Sequence, residues 1–441
     1  MKLRYLFFVS FLHLQISAQV GFNKVGYQDA NTISNIGVEL FRGVAIDSQG
    51  RIIAAGRTDT DGAIVCYKAD GSLDTTFNVN SINGGPGYIN QEADERSHQY
   101  CSIALDSQDR IIVVGTARPM GQERGLIVRY NRDGTLDETF NATGFIISSA
   151  EAVNALIYYS VAIDAQDRII VGGQLLTDPF NSLLVRYNVN GTLDQVLDNG
   201  TFHNGQYYGV ALDSRGRIIA AGWYNNPGNK GLIVRYNADG TSDLTFNANS
   251  IDGAPGYINL NSGTGVSQYN GVAIDAQDNI IVVGGESSPD ASTIVRYTVN
   301  GNLDTSFNRT GFFIDTTARN YLGVICDREG RIIVVGSSTA FKALAVCYNP
   351  DGSRETLVNK IGYFDCSYKN IFDNLAATLR YYSVVIDSQQ KIIVVGSFVG
   401  PSGLVARYIA NGVLDAQSNW NSKNYRVGAQ INGQSIGLLS N

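Results

Sequence analysis

Gly43–Gly56, GVAIDSQGRIIAAG, decides the fold, because the chain repeats nearly the same phrase six more times. The copies read SIALDSQDRIIVVG (102–115), SVAIDAQDRIIVGG (160–173), GVALDSRGRIIAAG (209–222), GVAIDAQDNIIVVG (271–284), GVICDREGRIIVVG (323–336) and SVVIDSQQKIIVVG (383–396). In each, a short apolar run ends at Asp, polar residues follow, and a second apolar run closes on Gly. The runs are too short for helices, and their Val and Ile content suits strands. Asp-Ser-Gln-Gly between them is a type I turn signal, in which the Asp carboxylate accepts a backbone N–H two residues on.

The phrase belongs to a longer unit. Its aspartates, Asp47, Asp106, Asp164, Asp213, Asp275, Asp327 and Asp387, are spaced 49 to 62 residues apart and form a sevenfold set of structural turn residues. A third run typified by GLIVRY follows, then Asp-Gly or Asn-Gly in all seven units, which is a second hairpin signal. Most units continue with Leu-Asp, Phe-Asn and a fourth extended piece such as GFFID. Each unit therefore reads as a four-stranded antiparallel meander. One such sheet cannot bury both faces alone, so the copies must pack on each other. The expected fold is all-β, a seven-bladed β-propeller, which leaves only short protected edges. A linear β-solenoid would prefer shorter repeats.

Closure of the ring has its own signature. Gly21–Tyr27, GFNKVGY, resembles Ser306–Phe312, SFNRTGF, the lead-in to a fourth strand. The N-terminal segment is thus expected to complete the seventh unit, whose three strands fall near Val384–Tyr408. Trp420-Asn421 in the tail mimics Phe-Asn and competes for the same edge. The organisation expected is a leader over 1–18, a propeller over 19–428 and a tail over 429–441.

The unit resembles the delta-60 repeat of bacterial proteins. The phrases that carry the likeness are Val210–Gly222, Arg235–Tyr236 and Asp70–Phe77, DGSLDTTF. The likeness spans roughly residues 20 to 415 and departs in the sixth unit, where DGSRETLV (351–358) lacks the Leu-Asp-x-x-Phe pattern. It implies a bacterial propeller, often exported or surface-associated, and implies no enzymatic activity.

Bulk composition agrees. Hydrophobic residues make up 44% and charged residues 17%, a globular balance. The net charge is −7 and the basic residues form no runs, which argues against nucleic acid, since phosphate binding needs clustered Lys and Arg. Lys2 and Arg4, the apolar Leu6–Leu14 and Ile16-Ser17-Ala18 read as a signal peptide with its cleavage site. The mature chain is expected outside the cytoplasm: secreted, periplasmic or on the cell surface. No later run is long and apolar enough to span a membrane. Cys66, Cys101, Cys326, Cys347 and Cys366 are odd in number and irregularly spaced, so they read as strand substitutions with at most one or two opportunistic bridges.

Chemistry-bearing motifs are scarce. Beyond the leader only His98 and His203 remain, and no zinc-protease, P-loop or nucleophile-elbow motif occurs. A catalytic role, a cofactor and a metal site are therefore not expected. The aspartate ring is read as turn capping, paired with Arg129, Arg186, Arg235, Arg296 and Arg407 of nearby strands. Asn131, Asp133 and Asp137 faintly resemble a calcium loop but offer too few oxygens. A near-duplicate insert, 80–90 and 249–259, elaborates units one and four.

One feature suggests ligand binding. Six residues before each turn Asp stands an aromatic: Phe41, Tyr100, Tyr158, Tyr207, Tyr269, Tyr321 and Tyr381. Gln99, Gln206, Gln268 and Asn320 precede several of them. If the VAID strand is innermost, the tyrosines ring one axial opening as a candidate platform for sugar or peptide. The competing reading packs each ring between blades. The function expected is a non-catalytic scaffold or adhesin that binds a protein or glycan. A structural envelope component and, further off, a propeller lyase or hydrolase with an axial site are the alternatives. Oligomeric state is not encoded in these patterns.

Overall fold

The computed structural model describes residues 27–29, 38–80, 83–90, 98–149, 154–176, 181–225, 228–249, 253–259, 266–286, 291–340, 342–355, 380–397, 403–412, 415, 430–431 and 434–435. Seven antiparallel meanders follow one another along the chain. Their first strands are Val38–Ile46, His98–Leu105, Ala155–Ile163, Gly205–Leu212, Val266–Ile274, Ala318–Cys326 and Arg380–Ile386, in blades 1 to 7. Each touches the first strand of the next blade, and the seventh touches the first. That cycle is a closed ring with the VAID strands innermost. The protein is a seven-bladed β-propeller.

The N-terminal segment closes the ring. Tyr27–Asp29 pairs antiparallel with Gly403–Tyr408, with Gln28 opposite Val405, as the fourth strand of blade 7. In blade 6 three strands are described; the segment expected to follow them, 356–379, and Trp420-Asn421 lie outside the described residues, as do the leader 1–18 and Cys366. Gln430–Ile431 and Gln434–Ser435 form a small separate hairpin in the tail.

Burial explains the unbroken apolar runs. The second and third strands of each blade are sandwiched between neighbouring sheets and bury both faces, as Ile52–Thr58 and Gly62–Tyr67 do in blade 1. Ile53, Ala55, Ile64 and Cys66 of blade 1 pack on Tyr100, Ile103 and Val113 of blade 2. Each buried Ile or Val among them contributes about 1.5–3 kcal/mol through removal from water.

The turns follow from their residues. Asp47 Oδ1 accepts the backbone N–H groups of Gln49 (3.0 Å) and Arg51 (2.8 Å). The fourth turn position is left-handed, φ 77° at Gly50 and 58° at Asp109 and Asp167. Where Asp stands there, it also clasps the preceding blade. Asp109 accepts Ser48 N–H (3.0 Å) and Ser48 Oγ–H (2.5 Å), and Asp167 does the same for Ser107.

The arginines sort differently from the sequence expectation. In five blades the turn aspartate pairs with the Arg four residues on, as Asp47 does with Arg51 and Asp213 with Arg217, both at 2.6 Å. Arg129, Arg186, Arg235, Arg296 and Arg407 instead pair with the Leu-Asp-type carboxylates eight residues on, such as Asp137 (2.8 Å) and Asp243 (2.8 Å). The antiparallel hairpin brings residues eight apart face to face and leaves the turn Asp beside its own following strand. These arginines then reach the next blade's hairpin carbonyl, as Arg186 Nη1 does to Ala238 O at 2.8 Å and Arg407 does to Ala69 across the seam. Where Cys66 replaces this Arg in blade 1, Arg51 takes over and donates to Arg132 O at 2.9 Å.

Candidate axial binding site

The aromatic ring read from the sequence does not surround the opening. Phe41, Tyr100, Tyr158, Tyr207, Tyr269, Tyr321 and Tyr381 are buried, and they press against the neighbouring blade. The Tyr100 ring covers Gly62, Tyr158 covers Gly125 and Tyr269 covers Gly231. Their hydroxyls are satisfied internally. Tyr158 and Tyr187 meet at 2.9 Å, Tyr100 and Tyr130 at 2.9 Å, and Tyr207 donates to Asp198 at 2.6 Å. Such groups have no surface to offer a ligand. Burial drives the phenols of Tyr100, Tyr158, Tyr207 and Tyr321 well above their ordinary pKa, which keeps them as neutral packing elements.

The axial surface is made one residue further on. Every inner strand carries a β-bulge immediately after the aromatic, between Phe41 and Gly43 in blade 1 and between Tyr381 and Ser383 in blade 7. A bulge places an extra residue out of register and re-aims its side chain. The extra residues are Arg42, Cys101, Tyr159 and Tyr208, then Asn270, Leu322 and Tyr382, and all line one axial cavity of about 470 Å³. Sequence reasoning took the constant position of the repeat and passed over its neighbour. The available signal was variety: Arg, Cys, Tyr, Tyr, Asn, Leu, Tyr at a position flanked by near-identical residues.

The cavity is polar and has fixed geometry. Tyr159 and Tyr208 meet edge to face, centroids 4.9 Å apart at 67°. Tyr208 accepts a hydrogen bond from Trp223 Nε1 (3.2 Å). Burial raises the pKa of both phenols, so they remain protonated donors. Across the opening, Gln268 Nε2 donates to Asn270 Oδ1 (2.9 Å), and Asn270 Nδ2 donates to Asn320 Oδ1 (2.7 Å) and Tyr321 O (2.8 Å). The Arg42 guanidinium lies 3.7 Å from Cys101 Sγ. Burial raises that thiol above its ordinary value despite Arg42, which favours the neutral thiol over the thiolate. Arg380 enters from blade 7, and among the described residues no Asp or Glu lines the cavity.

The remaining sequence candidates take local structural positions. Asp133 Oδ1 accepts Thr135 N–H (2.9 Å) and Oγ1–H (2.6 Å), while Asp137 faces Arg129, so the two carboxylates of the calcium-like pattern point to different partners. Among the described residues no group of three His, Cys, Asp or Glu is placed to hold a metal. His98 begins the inner strand of blade 2 and His203 ends the fourth strand of blade 3. Cys66, Cys101, Cys326 and Cys347 sit in strands as free thiols. The duplicated inserts supply the fourth strands Tyr88–Asn90 and Tyr257–Asn259, and lie at the outer edge, away from the axis. In the irregular sixth unit, Arg354 pairs with Asp315 of blade 5 at 2.7 Å.

Comparison with known proteins agrees with the architecture. A family described as "Domain of unknown function (DUF5122) beta-propeller" matches residues 48–77, 109–140, 216–246 and 276–307. These segments span the turn Asp region to the Phe-Asn pair of blades 1, 2, 4 and 5. No curated protein matches the chain. Among solved structures the fold is similar to a streptogramin B lyase, with 10% identity, 87% of this chain and 97% of that one covered, and a TM-score of 0.52. It is also similar to the WD40 β-propeller domain of Doa1, at 14% identity, 87% and 95% coverage and TM-score 0.47. YCF48 bound to D1 peptide gives 10%, 88% and 96%, and 0.48. At 10% identity the likeness to the lyase shows the fold alone.

Proposed function

We propose that the protein is an exported, non-catalytic propeller of the delta-60 repeat kind that holds a glycan or protein partner at its axial mouth, as a scaffold or adhesin. One observation carries this reading. The scaffold repeats sevenfold in its turns, glycines and buried aromatics, yet the seven bulge positions hold five residue types and converge on one cavity. Packing alone calls for the same residue in each blade. A mixed ring of arginine, phenols and carboxamides is what recognition of an asymmetric ligand needs. Export rests on the leader-like residues 1–18.

The test is a glycan and peptide array probed with the purified chain, beside Tyr159→Ala and Tyr208→Ala. A hit that both variants lose at unchanged Tm supports the axial reading. Hits that survive in both variants overturn it. For export, the unprocessed chain recovered from the cytoplasm of its source cell defeats that part.

A further inference from the structure

We infer that the ligand of the axial mouth is a carboxylated sugar, with Arg42 and Arg380 receiving its carboxylate; this rests on the axial-binding reading above. The first ground is charge. The chain carries net charge −7, and its structural arginines are tied to carboxylates: Arg51 to Asp47, Arg129 to Asp137, Arg235 to Asp243. Arg57, near the mouth, is engaged by Glu39 at 3.1 Å. Arg42 and Arg380 are the exceptions within the cavity. Among the described residues, Arg42 has only the weak contact to Cys101 Sγ, and its Nε is buried without an acceptor. Arg380 Nε is likewise buried without an acceptor. A buried guanidinium N–H left unpaired is costly, and a carboxylate is its best-matched acceptor. Two such groups from adjacent blades line one cavity, and among the described residues no Asp or Glu lines it, so the mouth of this acidic protein carries positive charge.

The second ground is the rest of the lining. Tyr159, Tyr208 and Tyr382 supply aromatic faces and hydroxyl donors. The carboxamide chain, in which Gln268 donates to Asn270 and Asn270 to Asn320, leaves Gln268 Oε1 as acceptor and Asn320 Nδ2 as donor. Fixed donors and acceptors beside aromatic faces match the edges and faces of a pyranose ring. Small residues such as Ser160, Gly209 and Gly271 leave the space between them open, and a cavity of about 470 Å³ falls in the small-ligand range. A protein interface would call for a central apolar anchor pocket. Of the bulge residues Leu322 alone is aliphatic, which favours sugar over protein.

The experiment titrates the purified full chain calorimetrically with oligogalacturonate, oligomannuronate and sialyllactose, each beside its methyl-esterified counterpart. The expected result is at least tenfold tighter binding of one acid than of its ester, weakening as salt rises. Arg42→Gln with Arg380→Gln should abolish the preference at unchanged Tm, and Arg42→Lys with Arg380→Lys should restore part of it. Acid and ester bound equally overturn the inference, as does a preference that persists in the glutamine pair. Should neutral glycans or peptides bind at the mouth while no acidic sugar does, the carboxylate inference falls and the axial-binding reading stands. Should nothing bind in either experiment, both fall.

Discussion

Gly115 and Gln99 approach so closely across blade 2 that a Cβ on Gly115 would lie 1.8 Å from the Gln99 carbonyl oxygen. The same approach recurs in every blade, at 1.8 to 2.1 Å, because each bulge pushes a carbonyl toward the closing glycine of the next strand. A methyl group there cannot be relieved by rotating a side chain; backbone must move. Gly115→Ala is therefore expected to destabilise by more than about 3 kcal/mol, above the usual range for one substitution. Urea unfolding measures it. A loss below about 1 kcal/mol would show that the bulge yields freely.

Adjacent tyrosines should behave in opposite ways. Tyr158→Phe leaves the Tyr187 hydroxyl buried without its 2.9 Å partner, at a cost of about 1–3 kcal/mol, and Tyr158→Ala adds a cavity for a total of about 3–5 kcal/mol. Tyr159→Phe should shift stability by less than about 1 kcal/mol, because its hydroxyl makes only a 3.5 Å contact to Gln174. Thermal melts of the three variants decide whether the buried and axial rings are distinct.

The buried ion pair of blade 4 holds a seam between blades. Arg235 pairs with Asp243 at 2.8 Å, lies over the Phe246 ring at 4.5 Å and donates to the Val299 carbonyl of blade 5. Arg235→Gln removes one partner from a desolvated pair and should cost about 3–5 kcal/mol. A double-mutant cycle with Asp243→Asn checks the coupling, and additive losses would mean that the pair contributes nothing.

Acid should loosen these seams together. Burial alone would raise the carboxyls of Asp74, Asp137, Asp243 and Asp304. The hydroxyl and N–H of the residue two positions on, with the nearby guanidinium, outweigh it and hold all four below their ordinary pKa. A depressed folded-state pKa stabilises above the unfolded value, about 3.9, and that stability is lost as pH falls through the folded value. Stability should be flat from pH 7 to about 5 and fall steeply below about pH 4. A urea midpoint that does not change between pH 5 and 3 would contradict this.

The Ser48–Asp109 clasp gives a smaller, graded prediction. Asp109 sits at φ 58° and accepts two hydrogen bonds from blade 1. Asp109→Ala loses the bonds and keeps the left-handed strain, for about 2–3 kcal/mol, whereas Asp109→Gly loses only the bonds and should cost about 1 kcal/mol less. Equal effects would mean that backbone strain plays no part.

Much of this architecture was legible in the sequence. The Asp turn, the second hairpin with its Gly, and the four-run unit are local signals, and local signals recur seven times. Closure by Tyr27–Asp29 was readable because GFNKVGY copies a phrase found in mid-unit. The bulge was not. A one-residue slip in register swaps which side chain faces the axis, and no propensity distinguishes Tyr158 from Tyr159. The partners of the arginines were missed for a related reason: eight-residue hairpin pairing outranks proximity to the turn Asp, and only three-dimensional register shows it.

Ring closure has a consequence in time. Arg42 stands on the first inner strand and Arg380 on the last, and these two strands meet only where blade 7 closes on blade 1. Emerging from the ribosome, the chain presents Arg42 early and waits almost its whole length for Arg380. Contacts so distant in sequence form late. Until the seam is sealed Arg42 and Arg380 do not share a cavity, so the proposed carboxylate site is absent from the unfinished chain.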